Sequence, residues 1–129
     1  AAAHLGEGWS CVGCTEGNYS TLHFNVTPPD GDVTIKAHLT PALFGEIQDR
    51  PVRVLVNDIA VGEWHVRSPN WYSLSVPHAA VENQNHLTLR FEFPNAVSPK
   101  SLGINQDARV LSVAFDSLML LANSKSSFN

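Results

Sequence analysis

Short runs in which apolar and polar residues alternate dominate this chain and restrict what it can fold into. A period of two places successive side chains on opposite faces of an extended strand, so each run predicts a strand with one buried face. Proline, glycine, asparagine and aspartate interrupt the runs, and apolar residues at helical spacing are nearly absent. The clearest runs span residues 21–26, 33–39, 52–56, 71–76 and 86–93. The pattern therefore predicts antiparallel sheets that each bury one face.

The number of runs and the chain length together predict a single layered domain. The chain has 129 residues and a mass of 14.1 kDa, which is enough for one hydrophobic core. About seven or more short strands in a chain of this size are typical of a two-sheet sandwich. We expect an all-β, antiparallel two-sheet β-sandwich of the jelly-roll type over residues 1–129. Residues 1–5 are expected to be a tag remnant or a flexible start, and residues 122–129 a tail.

Two features of the strand pattern predict local geometry. Asn57 and Asp58 separate two alternating runs, and both residue types tolerate a positive φ, so they predict a hairpin turn. The last predicted strand, residues 110–121, changes its apolar phase near Asp116 and Ser117. Such a change indicates either a β-bulge or burial on both faces.

A short helical turn is predicted between two of the strands. Ser98 is a suitable cap, Pro99 suits the first helical position, and Gly103 is a typical stop. Asp107 and Arg109 follow closely, and we expect them to form a structural polar contact beside this turn.

Composition and charge exclude two classes of partner. The chain carries 8 Lys and Arg against 12 Asp and Glu, for a formal charge of -4, and the basic residues are spread from Lys36 to Lys125. Because no basic stripe is present to hold a phosphate backbone, nucleic acid is not an expected partner. The longest purely apolar run covers residues 118–122, whereas crossing a bilayer needs roughly 20 residues. Membrane insertion is therefore not expected.

The two cysteines, Cys11 and Cys14, lie in a glycine-rich segment and leave several interpretations open. A redox pair is expected after a strand and at a helix start, and this context is not visible here. A zinc site would need two further ligands, such as His4 and His23. The remaining alternatives are two free thiols or a small local disulfide.

The arrangement of acidic residues and histidines does not favour an enzyme. Glycoside hydrolysis needs two carboxyl groups that face each other across a cleft, but the acidic residues are scattered singly through turns and polar faces. No Gly-x-Ser-x-Gly sequence accompanies any serine. A cupin-like metal enzyme is one hypothesis that stays open, although no His-x-His pair occurs. We therefore predict a non-enzymatic domain.

Several short motifs resemble known jelly-roll modules. The motifs similar to galactose-binding-domain-like jelly rolls are Gly8-Trp9, residues 54–57, residues 71–77 and residues 85–89. Residues 98–114 resemble a segment of sandwich modules attached to bacterial polysaccharide glycosyltransferases. Residues 115–120 are similar to the last strand of many non-catalytic carbohydrate-binding modules.

This resemblance implies a function, partners and a cofactor. It implies a non-catalytic carbohydrate-binding module that targets or positions glycans for a larger carbohydrate-active enzyme. The expected partners are an oligo- or polysaccharide and a neighbouring catalytic domain, in a secreted or surface-associated protein. The alternative is a structural or docking domain of a polysaccharide-assembling glycosyltransferase that makes no contact with sugar. Related modules often hold a structural calcium ion, for which Glu7 and Asp116 are the matching positions.

Aromatic side chains with polar neighbours are the candidate sugar-binding groups. Recognition of a pyranose uses an aromatic platform against its apolar face and polar groups for its hydroxyls. Trp64, Trp71 and Tyr72 lie close in sequence, with Arg67 and Asn70 between them. Strand alternation places Trp71 and Tyr72 on opposite faces, and Trp71 is the tryptophan that we expect to be exposed. For each tryptophan a core position is the alternative, because large aromatic side chains dominate core packing.

Further candidates lie outside this segment. Trp9 and Tyr19, in the glycine-rich N-terminal region, predict a second platform. His23 and His38 fall on the polar faces of predicted strands, where we expect surface residues or hydrogen-bonded rings.

Overall fold

The computed structural model describes residues 3–11 and 13–122, which form two layers of β-strands. This part of the chain contains ten strands and two short 3₁₀ turns, His78–Ala80 and Lys100–Leu102. Among the described residues, neither turn nor any other helix has the length and apolar character to cross a membrane. The strands are β1 Ala3–Leu5, β2 Trp9–Cys11, β3 Cys14–Thr15, β4 Tyr19–Asn25, β5 Val33–Pro41, β6 Arg50–Val56, β7 Ile59–Val66, β8 Asn70–Val76, β9 His86–Glu92 and β10 Val113–Ala122.

Each layer is a five-stranded antiparallel sheet. The first sheet has the strand order β1-β4-β9-β6-β7, and the second has the order β2-β3-β10-β5-β8. Strands that are distant in sequence are neighbours in space, since β4 pairs with β9 and β5 pairs with β10. The predicted antiparallel jelly-roll sandwich is therefore confirmed.

The first sheet begins earlier than the side-chain pattern predicts. Ala3–Leu5, which belong to the segment expected to be a tag remnant or a flexible start, pair with β4, and Leu5 lies opposite Leu22. Backbone hydrogen bonds to a neighbouring strand hold such an edge segment in place, and they need no alternating pattern of side chains. At the other end, β10 continues to Ala122, and the rest of the predicted tail, residues 123–129, lies outside the described residues.

The alternating runs supply the core between the sheets. Side chains of β5, β6 and β9 that point inward are almost completely buried, among them Ile35, Leu39, Val54 and Phe91. Burial of one such side chain contributes roughly 1.5–3 kcal/mol. The intervening residues point to solvent, so each strand has the two chemically distinct faces that its sequence predicts.

Aromatic rings connect the two layers. Phe91 of the first sheet packs against Phe115 of the second, with ring centroids 4.6 Å apart. Trp9 meets Phe115 edge-on at 5.6 Å, and Trp64 stacks on Phe91 at 6.3 Å. The Phe91–Phe115 contact joins the two layers, and Trp9 and Trp64 each extend it within their own sheet.

The predicted hairpin turn and bulge are both present. Asn57 and Asp58 join β6 to β7 with φ values of 48° and 68°. In β10 the register with β5 shifts between Phe115 and Ser117, which makes Asp116 the extra residue of a β-bulge. The bulge explains the change of apolar phase, because it lets Phe115 on one side and Leu118 on the other both face the core.

The predicted helical turn is also present and is capped as expected. The Ser101 backbone N–H donates to Ser98 Oγ at 3.1 Å, and Gly103 ends the turn with a φ of 74°. Arg109 Nη2 donates to Asp107 Oδ2 at 2.7 Å, and Arg109 Nε donates to Asp107 Oδ1 at 3.0 Å. These hydrogen bonds from Arg109 lower the pKa of Asp107 to about 2.

Cys11 and Cys14 form a disulfide across the turn that joins β2 to β3. Of the alternatives left open by the sequence, the local disulfide is the one observed. Because both sulfur atoms are used in this bond, neither cysteine is a free thiol or a zinc ligand.

A buried arginine holds two loops together beside β6. Arg50 is fully buried, and its Nε donates to the carbonyl oxygen of Ala42 at 2.8 Å. Its Nη1 donates to the carbonyl oxygen of Asn95 at 2.8 Å, and the guanidinium lies 4.9 Å from the Phe44 ring centroid. Burial lowers the pKa of Arg50 from its ordinary value.

Trp64→Ala should strongly destabilise the fold, because it removes a ring that packs on Phe91 in the core. The expected loss in the free energy of unfolding is about 3–5 kcal/mol. Trp71→Ala, at an exposed position, should cost about 1 kcal/mol or less. Urea denaturation of the two variants measures the difference, and equal losses would contradict the assignment of Trp64 to the core.

Candidate functional site

Trp64, a predicted platform residue, lies in the core instead. It is only 5% exposed, and its indole N–H donates to the carbonyl oxygen of Ser73 at 3.0 Å. Period-two alternation places Trp64 in phase with the buried Val66, so both side chains point inward from β7. A ring with its faces covered by core residues offers no surface to a ligand.

The other predicted residues near Trp64 do not form a platform with it. Tyr72 is half-buried against the core, and its hydroxyl donates to the carbonyl oxygen of Ser68 at 3.1 Å. Asn70 Oδ1 accepts the backbone N–H of Trp71 at 2.8 Å, which shapes the start of β8. Arg67 is largely exposed, with its Nε 3.7 Å from Asp49 Oδ1.

Trp9 and Tyr19, which the sequence predicts as a second platform, are both half-buried and contact other residues. The Trp9 indole N–H donates to the carbonyl oxygen of Thr21 at 2.8 Å, and its ring packs against the core. The guanidinium of Arg90 covers the Tyr19 ring at 4.0 Å from its centroid. The Tyr19 hydroxyl donates to Glu7 Oε2 at 3.0 Å, and this hydrogen bond raises the pKa of Tyr19.

The two predicted calcium ligands are not brought together. Glu7 contacts Tyr19 and Thr21 of the first sheet, whereas Asp116 lies on the outer face of the second. Among residues 3–11 and 13–122, no group of three or more acidic, histidine or cysteine side chains is arranged to hold a metal ion. Calcium prefers six to eight oxygen ligands, so Glu7 and Asp116 do not fit a calcium site.

Trp71 is the predicted platform residue that is exposed. Its side chain lies on the outer face of the second sheet with 47% of its surface accessible. The β5–β8 register places His38 opposite Trp71 and Lys36 opposite Ser73. The His38 ring meets the indole edge-on at 5.3 Å, and Lys36 Nζ lies 5.7 Å from the ring centroid. The exposed ring is therefore held in place by two neighbours on β5.

A carboxylate lies beside this ring, and the sequence does not reveal their proximity. Asp116 Oδ2 accepts a hydrogen bond from Thr40 Oγ1 at 2.7 Å and lies 2.9 Å from His38 Nδ1. The hydrogen bond from Thr40, and then that from His38, hold the pKa of Asp116 below its ordinary value. His38 and Asp116 are 78 residues apart and meet only because β5 pairs with β10.

We use the name Trp71 face for the exposed surface formed by Trp71, Lys36, His38, Thr40 and Asp116. Thr40 also lines an adjacent hollow of about 270 Å³ at the end of the second sheet, whose other lining residues include Arg109. The surface thus combines a flat aromatic ring, hydrogen-bond donors and acceptors, and a shallow depression. Such a combination suits a ligand with one apolar face and many hydroxyl groups.

Comparison with known proteins relates the fold to carbohydrate-binding modules. No protein-family model matches the chain, and no curated protein matches its sequence. A family 35 carbohydrate binding module from Clostridium thermocellum is similar with a TM-score of 0.50 and 14% identity, over 94% of this chain and 88% of that chain. The carbohydrate-binding module CBM36, in complex with calcium and xylotriose, aligns over 80% of this chain and 76% of its own, with a TM-score of 0.39 and 8% identity.

An acetyl xylan esterase (Est2A) from the rumen bacterium Butyrivibrio proteoclasticus aligns over 97% of this chain but 32% of its own, with a TM-score of 0.45 and 12% identity. At such low identities the comparisons concern the fold. The expected resemblance to jelly-roll carbohydrate-binding modules is confirmed at that level.

Thr40→Val should raise the pKa of Asp116 toward that of an ordinary aspartate, because it removes the hydrogen bond that lowers this pKa most. A lowered folded-state pKa stabilises the protein above the unfolded-state pKa, and this stabilisation is lost as the pH falls through the folded-state pKa. In Thr40→Val the Asp116 carboxylate should therefore stabilise the folded protein less at neutral pH. NMR titration of the Asp116 carboxyl in both proteins measures the shift, and an unchanged pKa would refute the role given to Thr40.

Proposed function

We propose that this domain is a non-catalytic carbohydrate-binding module that binds an oligo- or polysaccharide on the Trp71 face. The observation that carries the proposal is the exposed Trp71 ring, held on a sheet face beside Asp116 and His38. The jelly-roll fold shared with the family 35 module supports the same conclusion.

The chemistry of the surface matches that of a sugar. One face of a pyranose ring carries C–H groups, which pack on the flat face of an indole, and desolvating this contact contributes to binding. Asp116 accepts hydrogen bonds from sugar hydroxyls, and Thr40 and His38 can donate or accept them. The ring is already fixed by Lys36 and His38, so little side-chain freedom is lost when a sugar binds.

The shape of the surface favours a chain over a single enclosed sugar. The Trp71 face is open, and the adjacent hollow is shared through Thr40, so neighbouring units of one polymer can occupy both. An open surface buries little of each sugar unit, which makes a single contact weak. Attachment to a larger enzyme would then keep the catalytic domain near its polymer and raise the effective concentration.

The disulfide supports the expected setting of the protein. The Cys11–Cys14 disulfide is typical of a secreted or surface-associated protein, where disulfides persist. We propose that a neighbouring catalytic domain is the natural partner of this one.

Trp71→Ala should reduce glycan binding at least roughly tenfold, because it removes the stacking platform. Its melting temperature should stay close to that of the unmodified protein, since Trp71 lies outside the core. A glycan array identifies the ligand, and isothermal titration calorimetry with that ligand measures the affinity. Trp71→Phe, which retains a smaller ring, should keep part of the binding.

Tyr19→Ala is the matched control, because Tyr19 is the aromatic residue on the outer face of the opposite sheet. This variant should bind the glycan as the unmodified protein does. If Tyr19→Ala lost binding and Trp71→Ala retained it, the glycan site would lie on the first sheet and the proposed site on the second sheet would be wrong. A folded protein that binds no glycan across a broad array would contradict the proposal and favour a docking role.

A further inference from the structure

Two histidines from different strands meet on the outer face of the first sheet, on the opposite side of the molecule from the Trp71 face. The β4–β9 register pairs His23 with Thr88 and Asn25 with His86, so the two histidines are diagonal neighbours. His23 Nδ1 lies 3.3 Å from His86 Nε2. The rings are stacked, with centroids 5.4 Å apart and an interplanar angle of 25°.

The neighbour of His86 determines which of its nitrogens is free. His86 Nδ1 lies 3.2 Å from Asn25 Oδ1. An amide oxygen only accepts hydrogen bonds, so this contact places the ring proton on Nδ1 and leaves a lone pair on Nε2. Histidines that bind metal ions are oriented in this way, by a hydrogen bond from the nitrogen that does not ligate.

The second nitrogen of the pair also has a polar neighbour. Thr88 Oγ1 lies 3.2 Å from His23 Nδ1, and a hydroxyl can donate to the lone pair of a ring nitrogen. In one tautomer His23 Nδ1 donates a hydrogen bond to His86 Nε2; in the other, both facing nitrogens carry lone pairs, and a cation can take the place of the proton. The structure therefore brings two nitrogen donors together at one point on an exposed surface.

The spacing of these nitrogens suits a transition-metal ion. Zinc binds histidine nitrogen at about 2.0–2.1 Å, and a tetrahedral angle between two such bonds separates the nitrogens by roughly 3.3–3.4 Å. The observed separation between His23 Nδ1 and His86 Nε2 is 3.3 Å. Calcium and magnesium prefer oxygen ligands, so they do not match this pair.

We propose that His23 and His86 form a two-histidine site for a divalent transition-metal ion of the zinc class. The remaining coordination positions face solvent and are filled by water. An ion in this site links β4 to β9 and stabilises the first sheet. The site shares no residue with the Trp71 face, so metal binding and glycan binding can be tested separately.

Zinc titration of the full chain at about pH 7.5, where imidazole is mostly neutral, tests the site directly. Calorimetry should detect zinc binding to the unmodified protein, and zinc should raise its melting temperature. His23→Ala and His86→Ala should each weaken zinc binding at least roughly tenfold and remove the thermal stabilisation. Asn25→Ala, which frees the His86 ring, should weaken binding by about tenfold or more. Calcium should produce no stabilisation.

Two control variants separate this site from general histidine effects. His65→Ala changes another surface histidine of the first sheet, which contacts Asp49 and Glu63. Both His65→Ala and Trp71→Ala should bind zinc as the unmodified protein does. The melting temperature without zinc shows whether each variant is folded. The proposal is overturned if the unmodified protein does not bind zinc, if folded His23→Ala and His86→Ala bind it normally, or if His65→Ala loses binding equally.

Discussion

The packing of aromatic rings between the two sheets determines how everything else in this structure is placed. Phe91 and Phe115 meet across the interface, and Trp64 and Trp9 extend the contact on either side. Large rings bury more area than aliphatic side chains, so they contribute heavily to the stability of a small domain. These rings fill the middle of the space between the layers, and both candidate binding surfaces lie on the outer faces of the sheets.

The outer faces of the two sheets present different chemistry on the same kind of framework. On the second sheet, β5 and β8 hold an indole and an imidazole side by side, with a carboxylate supplied by β10. On the first sheet, β4 and β9 hold two imidazoles that face each other. Side chains on strands are held more firmly than side chains on loops, and groups fixed in this way can recognise a ligand without rearranging.

Much of the fold follows from local patterns, because the features concerned depend on neighbouring residues. The alternation around Trp71 placed its side chain on the surface, and the positive φ of Asn57 and Asp58 matched their residue types. Trp64 could have been assigned to the core on the same grounds, since it shares the phase of Val66. Edge strand β1 gave no such signal, because its order comes from backbone hydrogen bonds.

The side-chain clusters were less accessible to prediction, for a physical reason. His38 meets Asp116, and His23 meets His86, through strand pairs that join distant parts of the chain. A single sequence shows which face of a strand a residue occupies, but not which strand lies beside it. The polar faces containing His23 and His38 were therefore predictable, whereas their partners were not.

The bulge in β10 adds one residue, Asp116, to this strand and places its carboxylate on the outer surface. The residues before and after it face the core in opposite phases, with Phe115 in register with Leu39 and Leu118 in register with Ala37. Removing Asp116 would give a regular ladder with the same residues facing the core, because Ser117 already pairs with His38 and Leu118 with Ala37, but it would take away the carboxylate beside Trp71. A strand of regular alternation would therefore keep its apolar residues in the core and lose the acidic group of the outer face.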